Sequence, residues 1–362
     1  MMSRLLSHDL PRSRWLALAL VVVALALLLA PFLFPGAKAL SVAAKALVFI
    51  LLVASFDLLL GYTGIVSFAH TMFFGIGAYG VAIGSTALGP GWAGVGAGTA
   101  AALAISLLLS LLIGLFSLRV KAIFFAMITL AVASAFQTLA SQLSDFTGGE
   151  DGLSFKVPQW LSPGFAPFAG PDGPLEILGR AVDGRLITYY GLYVAVLVLF
   201  LALLRIVNSP FGRVLQAIRE NDFRAEALGY RTVVYRTWSN VLSALFACLA
   251  GVLLALWLRY VGPDTTLSFE IMLDILLIVV IGGMGTLYGA VVGAALFVLA
   301  QNYLQDLLKL GAGAFEGVPV LSQLVSPDRW LLWLGLLFVL SVYHFPSGIV
   351  GRLRAMALER RP

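Results

Sequence analysis

Charge is scarce in this chain. Asp, Glu, Lys and Arg make up 11% of its 362 residues, and hydrophobic residues make up 60%. A soluble domain carries about 25% charged residues, so an ordinary soluble enzyme is excluded and a polytopic membrane protein is expected. Cysteine is nearly absent. Cys248 stands alone inside an apolar run, which excludes an intramolecular disulfide and reads as a small buried residue. The three histidines, His8, His70 and His344, have no metal-ligand spacing, so no metal site is expected. The five lysines follow Ala, Ala, Val, Phe and Leu. A phosphate loop needs Gly immediately before Lys, so any ATP used must be bound by another chain. No catalytic residue and no cofactor are expected. The net charge of +5 is no nucleic-acid signal, because the basic residues fall between apolar runs.

Long apolar runs and glycine are abundant. A membrane span needs roughly 20 apolar residues, and ten stretches serve: 15–34, 39–60, 64–87, 93–117, 121–142, 187–207, 232–258, 271–287, 289–309 and 329–345. The 37 glycines suit close helix packing in lipid. The first run follows a basic segment but is longer than a signal-peptide core. Pro31, Pro35 and bulky phenylalanines beside it do not suit cleavage, so it is read as a retained span. The expected fold is all-α: a single transmembrane domain over 1–362, about ten helices, with Gly-broken segments.

Lys/Arg bias between spans sets orientation. With the N-terminus inside, the inner side collects Arg4, Arg12, Arg14, Arg119, Lys121, Arg205, Arg213, Arg219, Arg224, Arg231, Arg236, Arg352, Arg354, Arg360 and Arg361, fifteen of the 23 basic residues. An even number of spans returns the basic tail GRLRAMALERRP to that side, so both termini are expected to be cytoplasmic. Two long loops then face outward. Residues 143–186 hold five of the 15 prolines and the acids Asp145, Glu150, Asp151, Asp172, Glu176 and Asp183; residues 310–328 form the second. A Pro/Gly-rich segment of this length reads as a surface cover or contact site.

The inner loop 208–231 is the largest charged cluster. Six arginines lie between Arg205 and Arg236, with Glu220, Asp222 and Glu226 among them. Leu215, Ile218, Ala225 and Leu228 recur at helical spacing, so one face can dock while the charged face meets water or a partner. Ser209 is expected as N-cap, Pro210 at the first helical position and Gly229 as the stop. An amphipathic helix placed between two spans points to a soluble partner that drives this chain.

Glycine also marks candidate path segments. Gly75, Gly77 and Gly80, flanking Tyr79, and the run Gly282-Gly283-Met284-Gly285 each break or thin a helix, and paired Gly-interrupted segments point to a substrate path in transporters. The bland alternative is tight helix packing. The tract Thr147-Gly148-Gly149-Glu150-Asp151-Gly152 can hold an anion on consecutive N–H groups, while its acids can meet an ammonium, which together suit a zwitterion; an ordinary turn is the alternative. Ionisable residues within spans are few: Asp57, Glu270, Asp274 and His70. Asp57 lies near the inner end of its span, where either solvent or a cation contact can meet it. Glu270 and Asp274 share a face at i, i+4, either pairing with Arg259 or a backbone donor or serving as a coupling or substrate site.

Five pieces, GYTGIVSFAHTMFFGIGAYG (61–80), TGGEDGLS (147–154), GRVLQAIRENDFRAEALGY (212–230), IGGMGTLYGAVVGAAL (281–296) and FPSGIVG (345–351), taken in this order resemble the permeases of branched-chain amino acid ABC transporters, LivM-type subunits above all. The resemblance runs from about Ser55 to Gly351. It implies an importer of the bacterial inner membrane with a sister permease, two cytoplasmic ATP-binding subunits and a periplasmic amino-acid-binding protein; 143–186 and 310–328 become periplasmic loops. It makes 208–231 the coupling segment, with Arg219, Glu220, Asp222, Glu226, Ala227 and Gly229 at the ATPase. Gly75, Gly77, Tyr79, Gly148, Gly149, Asp151, Asp274, Gly282, Gly283 and Gly285 are the candidate substrate-path residues. The chain departs from the family pattern in having Asp57 where Asn is usual and Asp274 where Glu is usual. The family also holds permeases for urea and short amides. An ion-coupled secondary carrier using Asp57 or Asp274, and a non-transporting scaffold, are the readings from other classes.

Overall fold

The computed structural model describes residues 13–34, 36–117, 122–166, 176–177, 180–314, 326–345 and 347–359. Pro35, Arg4, Arg12, Arg119, Lys121, Arg360 and Arg361, and the middle parts of the loops 143–186 and 310–328, lie outside the described residues. The architecture is helical: α1 (Arg14–Leu33), α2 (Ala37–Thr63), α3 (His70–Ala87), α4 (Trp92–Ser117), α5 (Ala122–Gln142), α6 (Ser144–Thr147), α7 (Gly184–Val207), α8 (Pro210–Glu220), α9 (Asp222–Ala227), α10 (Thr232–Leu258), α11 (Pro263–Thr266), α12 (Phe269–Gly282), α13 (Leu287–Ala314), α14 (Trp330–His344) and α15 (Gly348–Glu359). Two small antiparallel sheets complete it. One pairs β1 (Leu153–Ser154) with β4 (Tyr260–Val261), and the other pairs β2 (Glu176–Ile177) with β3 (Arg180–Ala181).

Among the described residues nine helical segments are long and apolar enough to cross a membrane. The tenth expected span, 64–87, is present as α3 but starts at His70; its glycines and polar residues dilute its apolar character. The expected span 271–287 ends at Gly282, and residues 283–286 form a turn before α13. Helix α13 runs to Ala314, so the second outward loop begins later than residue 310.

The layout follows from what each helix offers. Helix α2 is buried along almost its whole length, from Leu40 to Thr63. It is the central column, flanked by α10 and α13. At the periphery α1 exposes Leu18, Val21, Val22, Leu25 and Leu29, and α14 exposes Leu331, Leu332, Leu336, Leu337, Val339 and Leu340. Apolar stripes this large suit lipid rather than water. Helix α3 meets α10 through reciprocal glycines: a Cβ on Gly77 would fall 1.9 Å from the carbonyl oxygen of Cys248, and one on Gly251 would fall 1.9 Å from that of Phe74.

Several polar groups between spans find partners inside the bundle, where lipid offers none. Pro31 lies inside α1 and has no N–H for the carbonyl of Leu27. The hydroxyl of Tyr189 donates to that carbonyl, and Tyr190 donates to the next, Leu28, at 2.9 Å. Asn240 of α10 donates to the Ser110 carbonyl at 2.9 Å, and Ser243 to that of Ser55 at 2.6 Å. His70 sits buried between the Ser55 hydroxyl at 3.0 Å and the Leu52 carbonyl at 3.2 Å, edge-on to Phe56; it fills a polar niche in the core.

Candidate functional site

The charged segment folds as two helices, not one. Asn221 leaves helical geometry (φ −158°, ψ 100°) and its side chain accepts the N–H of Arg224 at 2.9 Å, ending α8 and capping α9. Asn is a strong N-cap, and this break was readable in principle. Pro210 holds the first position of α8 as expected, but Ser209 does not cap: its hydroxyl donates back to the Ile206 carbonyl at 2.6 Å. Gly229, just past α9, has φ 91°, the left-handed conformation expected of a stop.

The inward face is built from Leu215, Ile218 and Ala225, all at most 2% exposed. Leu228 does not join it; it is 72% exposed, and Phe223 is 83% exposed. The break at Asn221 turns the second helix, so the periodicity carried across from α8 fails there. Two bonds tie α9 to α10: Asp222 to Arg236 at 3.0 Å, and Glu226 accepting from the Thr232 hydroxyl at 2.6 Å. Around these anchors Arg213, Glu220, Arg224, Glu226, Ala227, Gly229 and Arg231 remain exposed, a mixed-charge surface with an aromatic tip.

Arg219 links this surface to the bundle. Its guanidinium donates to the carbonyl of Gly61 in the last turn of α2. There α2 ends at Gly64, in left-handed geometry (φ 74°), with the Arg219 stem packed against it. On the other side of Gly61 lies the turn Gly283–Thr286. Gly283 and Gly285 adopt φ 116° and 78°, so this segment is a true break between spans. The N–H of Gly285 donates to the Asp57 carboxylate at 2.8 Å. A Cβ at Gly285 would lie 2.7 Å from the Arg219 guanidinium and 2.9 Å from the Gly61 carbonyl oxygen. Asp57 is 2% exposed, so it is buried in this junction and not solvated. Gly348, opening α15, packs against Gly283 so closely that a Cβ would fall 2.2 Å from the Gly283 Cα. Four of the five sequence motifs therefore meet in one place: 61–80 at Gly61, 212–230 at Arg219, 281–296 at Gly283 and Gly285, and 345–351 at Gly348.

The remaining path candidates lie elsewhere. Gly75 and Gly77 do not break a helix; α3 runs unbroken from His70 to Ala87. They are packing positions, Gly75 against Leu267 and Gly77 against Cys248. Tyr79 belongs to a separate apolar cluster with Phe155, Val261 and Leu267. Above it the 148–152 turn is laced to the chain after α10: the Tyr260 hydroxyl donates to the Asp151 carbonyl at 3.0 Å, and Leu153 pairs with Val261. Gly148 and Gly149 have φ 76° and 63°. The N–H of Gly149 is taken by the Thr147 hydroxyl at 3.3 Å, which is ordinary turn chemistry.

Asp274 sits apart again, with Gln301 donating to it at 3.2 Å. Neither it nor Glu270 pairs with Arg259. Arg259 closes α10 as the one non-glycine residue with positive φ (58°) among those described, and burial, then the nearby Arg185, lower its pKa.

A bundle of apolar helices with interhelical polar bonds, a break between spans and a charged inter-span loop bonded beside that break defines a multi-pass membrane protein of the permease class. The comparisons agree. The family model for "Branched-chain amino acid transport system / permease component" matches residues 38–342, and the chain belongs to that family. It is 26% identical over 323 residues to the high-affinity branched-chain amino acid transport system permease protein LivM of Salmonella typhimurium, covering 87% of this chain and 74% of that one. It is 27% identical over 304 residues to LivM of Escherichia coli, covering 80% and 69%. A probable LivM of Methanocaldococcus jannaschii is 29% identical over 170 residues, covering 45% and 47%. No solved structure matches.

Proposed function

We propose that this chain is a permease subunit of an ATP-driven importer of branched-chain amino acids in a bacterial cytoplasmic membrane, with both termini inside. It works beside a sister permease, two ATP-binding subunits and a periplasmic amino-acid-binding protein. The loaded binding protein docks on the outward loops 143–186 and 310–328, and the ATPases grip α8 and α9. The observation that carries this reading is the Arg219–Gly61 bond. A surface segment with an exposed aromatic tip is bonded directly to the inner end of the central span, and the same guanidinium lies close against a break between two others. Movement imposed on α8 then reaches α2 and the Gly283–Thr286 turn without an intermediary. Differential contacts of the partners with the two states supply the driving energy.

Affinity purification of the tagged chain from native membranes in mild detergent tests this. Stoichiometric ATP-binding subunits and a second permease are expected, with ATP-dependent uptake of leucine, isoleucine or valine after reconstitution. Replacing Glu226 or Gly229 should lower uptake more than membrane insertion. A stable chain that co-purifies with none of these and carries out gradient-driven uptake alone would instead make it a secondary carrier.

A further inference from the structure

At the end of the bundle opposite Arg219, helices α2, α10, α12 and α13 line an open cavity of about 430 Å³, within the range of small-molecule sites. Its polar lining is unusual for a membrane-spanning region. Lys45 of α2 lies 12 residues from Asp57 on the same helix, about 18 Å along its axis, and so falls within the span. It faces Asp274 and Glu270 of α12. Charges at such depth are costly and mark substrate or ion pathways.

Lys45 and Asp274 do not form a direct ion pair. Gln301 of α13 stands between them: its amide oxygen accepts from the Lys45 ammonium at 2.9 Å, and its amide nitrogen donates to Asp274 at 3.2 Å. A neutral amide thus holds a cation and an anion apart, each with only a weak partner. Nearby, Lys38 is already engaged with Asp306 at 2.5 Å. Asp264, Thr265, Ser268 and Asn302 add further polar groups to the lining; one wall is apolar, with Phe49, Leu254, Trp257 and Ile271, and the Lys45 ammonium lies 5.3 Å from the Phe49 ring centroid.

We infer that this cavity is a transient binding site for a zwitterionic α-amino acid within the permease: Lys45 takes the α-carboxylate, Asp274 with Glu270 takes the α-ammonium, and the Phe49–Leu254–Trp257 wall takes an aliphatic side chain. The polarity of the match is set by Gln301. It offers an acceptor to Lys45 and a donor to Asp274, and a zwitterion offers the same two groups with full charges, adding Coulomb attraction to each bond. Displacing the Gln301 side chain exchanges two neutral–ionic bonds for two fully ionic ones. A carboxylic acid without an amine, or an amino amide without a carboxylate, leaves one of the two ions unmatched, which is costly away from water. This inference rests on the transport reading above and names the groups in the path that meet the substrate.

The test is cysteine protection in the assembled transporter in nanodiscs. Cys248, fully buried, is replaced by Ala, and Ser41→Cys, on the cavity wall, reports access to a thiol reagent. Leucine should slow alkylation about threefold at twice its dissociation constant, by mass action. Leucinamide and isocaproate at the same concentration should not. Lys45→Met and Asp274→Asn, each added to the reporter, should abolish the protection. Equal protection by all three compounds, protection by none, or protection that survives in both variants overturns the site. Leucine uptake by the wild-type complex is scored separately: uptake without protection removes this site and leaves the transport reading standing, whereas absent uptake removes the transport reading.

Discussion

The carboxylate of Asp57 accepts the backbone N–H of Gly285 at 2.8 Å, joining the C-terminal part of the central span to a turn 228 residues away. The acceptor side is buried, Asp57 being 2% exposed, so little water is at hand to replace it. Asn keeps an acceptor oxygen at this position, and Asn is the residue the family resemblance implies there. Asp57→Asn is therefore expected to retain uptake and thermal stability. Asp57→Leu leaves the Gly285 N–H unpaired, at about 1–3 kcal/mol, and is expected to lower both the melting temperature in detergent and the uptake rate. Equal behaviour of the two variants would show that the carbonyl-type acceptor is not what the junction needs.

Arg219 supplies the other half of the same junction, through Gly61. Removing a charged hydrogen bond costs about 1.5–3 kcal/mol, or roughly 10- to 150-fold in an equilibrium at 1.4 kcal/mol per decade. Arg219→Ala should thus cut uptake at least about tenfold while ATP-binding subunits still co-purify, because Glu220, Arg224 and Glu226 remain on the exposed surface. Loss of the partners together with uptake would place Arg219 in docking and not in transmission.

Phe223 lies at the exposed end of the same segment. An aromatic ring 83% exposed at the tip of α9 contributes nothing to the fold of this chain, but buried in a partner's cleft it is of the kind that carries 2 kcal/mol or more, on the order of 30-fold in affinity. Phe223→Ala should leave thermal unfolding of the isolated permease unchanged and reduce recovery of ATP-binding subunits in pull-downs. Unchanged recovery would move the docking surface away from this tip.

Much of the architecture was legible because lipid imposes a simple rule, a long apolar run for each crossing. Nine such helices and the Gly283–Thr286 break appear near where composition and glycine placed them. The misreadings are of one physical kind: residues with two possible employments, decided only by three-dimensional neighbours. Gly75 and Gly77 look like helix breakers in sequence, but Leu267 and the Cys248 backbone press against them and require the missing side chains. Asp57 is open to solvation by its position along the span, but the turn at Gly285 folds over it. Leu228 fits the periodicity of α8, and Asn221 interrupts that periodicity. The convergence of Arg219, Gly61, Gly285 and Gly348 had no signal in any one motif. Nor did the Lys45–Gln301–Asp274 chain, whose members lie on three spans at no regular spacing.

The glycine contrast within the bundle gives the most direct test of the packing. Gly77 sits where α3 crosses α10, and a Cβ would approach the Cys248 carbonyl oxygen to 1.9 Å, a backbone atom that cannot swing aside as a side chain could. Gly77→Ala must therefore push the two helices apart. That strains the reciprocal crossing at Gly251 and, through Cys248, the buried face of α10. Overpacking of this kind costs about 1–3 kcal/mol. Gly96, on α4, has nothing within 4 Å of the same added atom, and Ala is there the better helix former by about 0.8–1 kcal/mol. Gly96→Ala should leave the melting temperature unchanged or slightly raised, while Gly77→Ala lowers it by several degrees and reduces the yield of folded protein. Each variant adds one methyl group to a helix in the same bundle, so a difference between them reads the closeness of the α3–α10 crossing alone. Matching melting curves for the two would mean that the helices cross with room to spare.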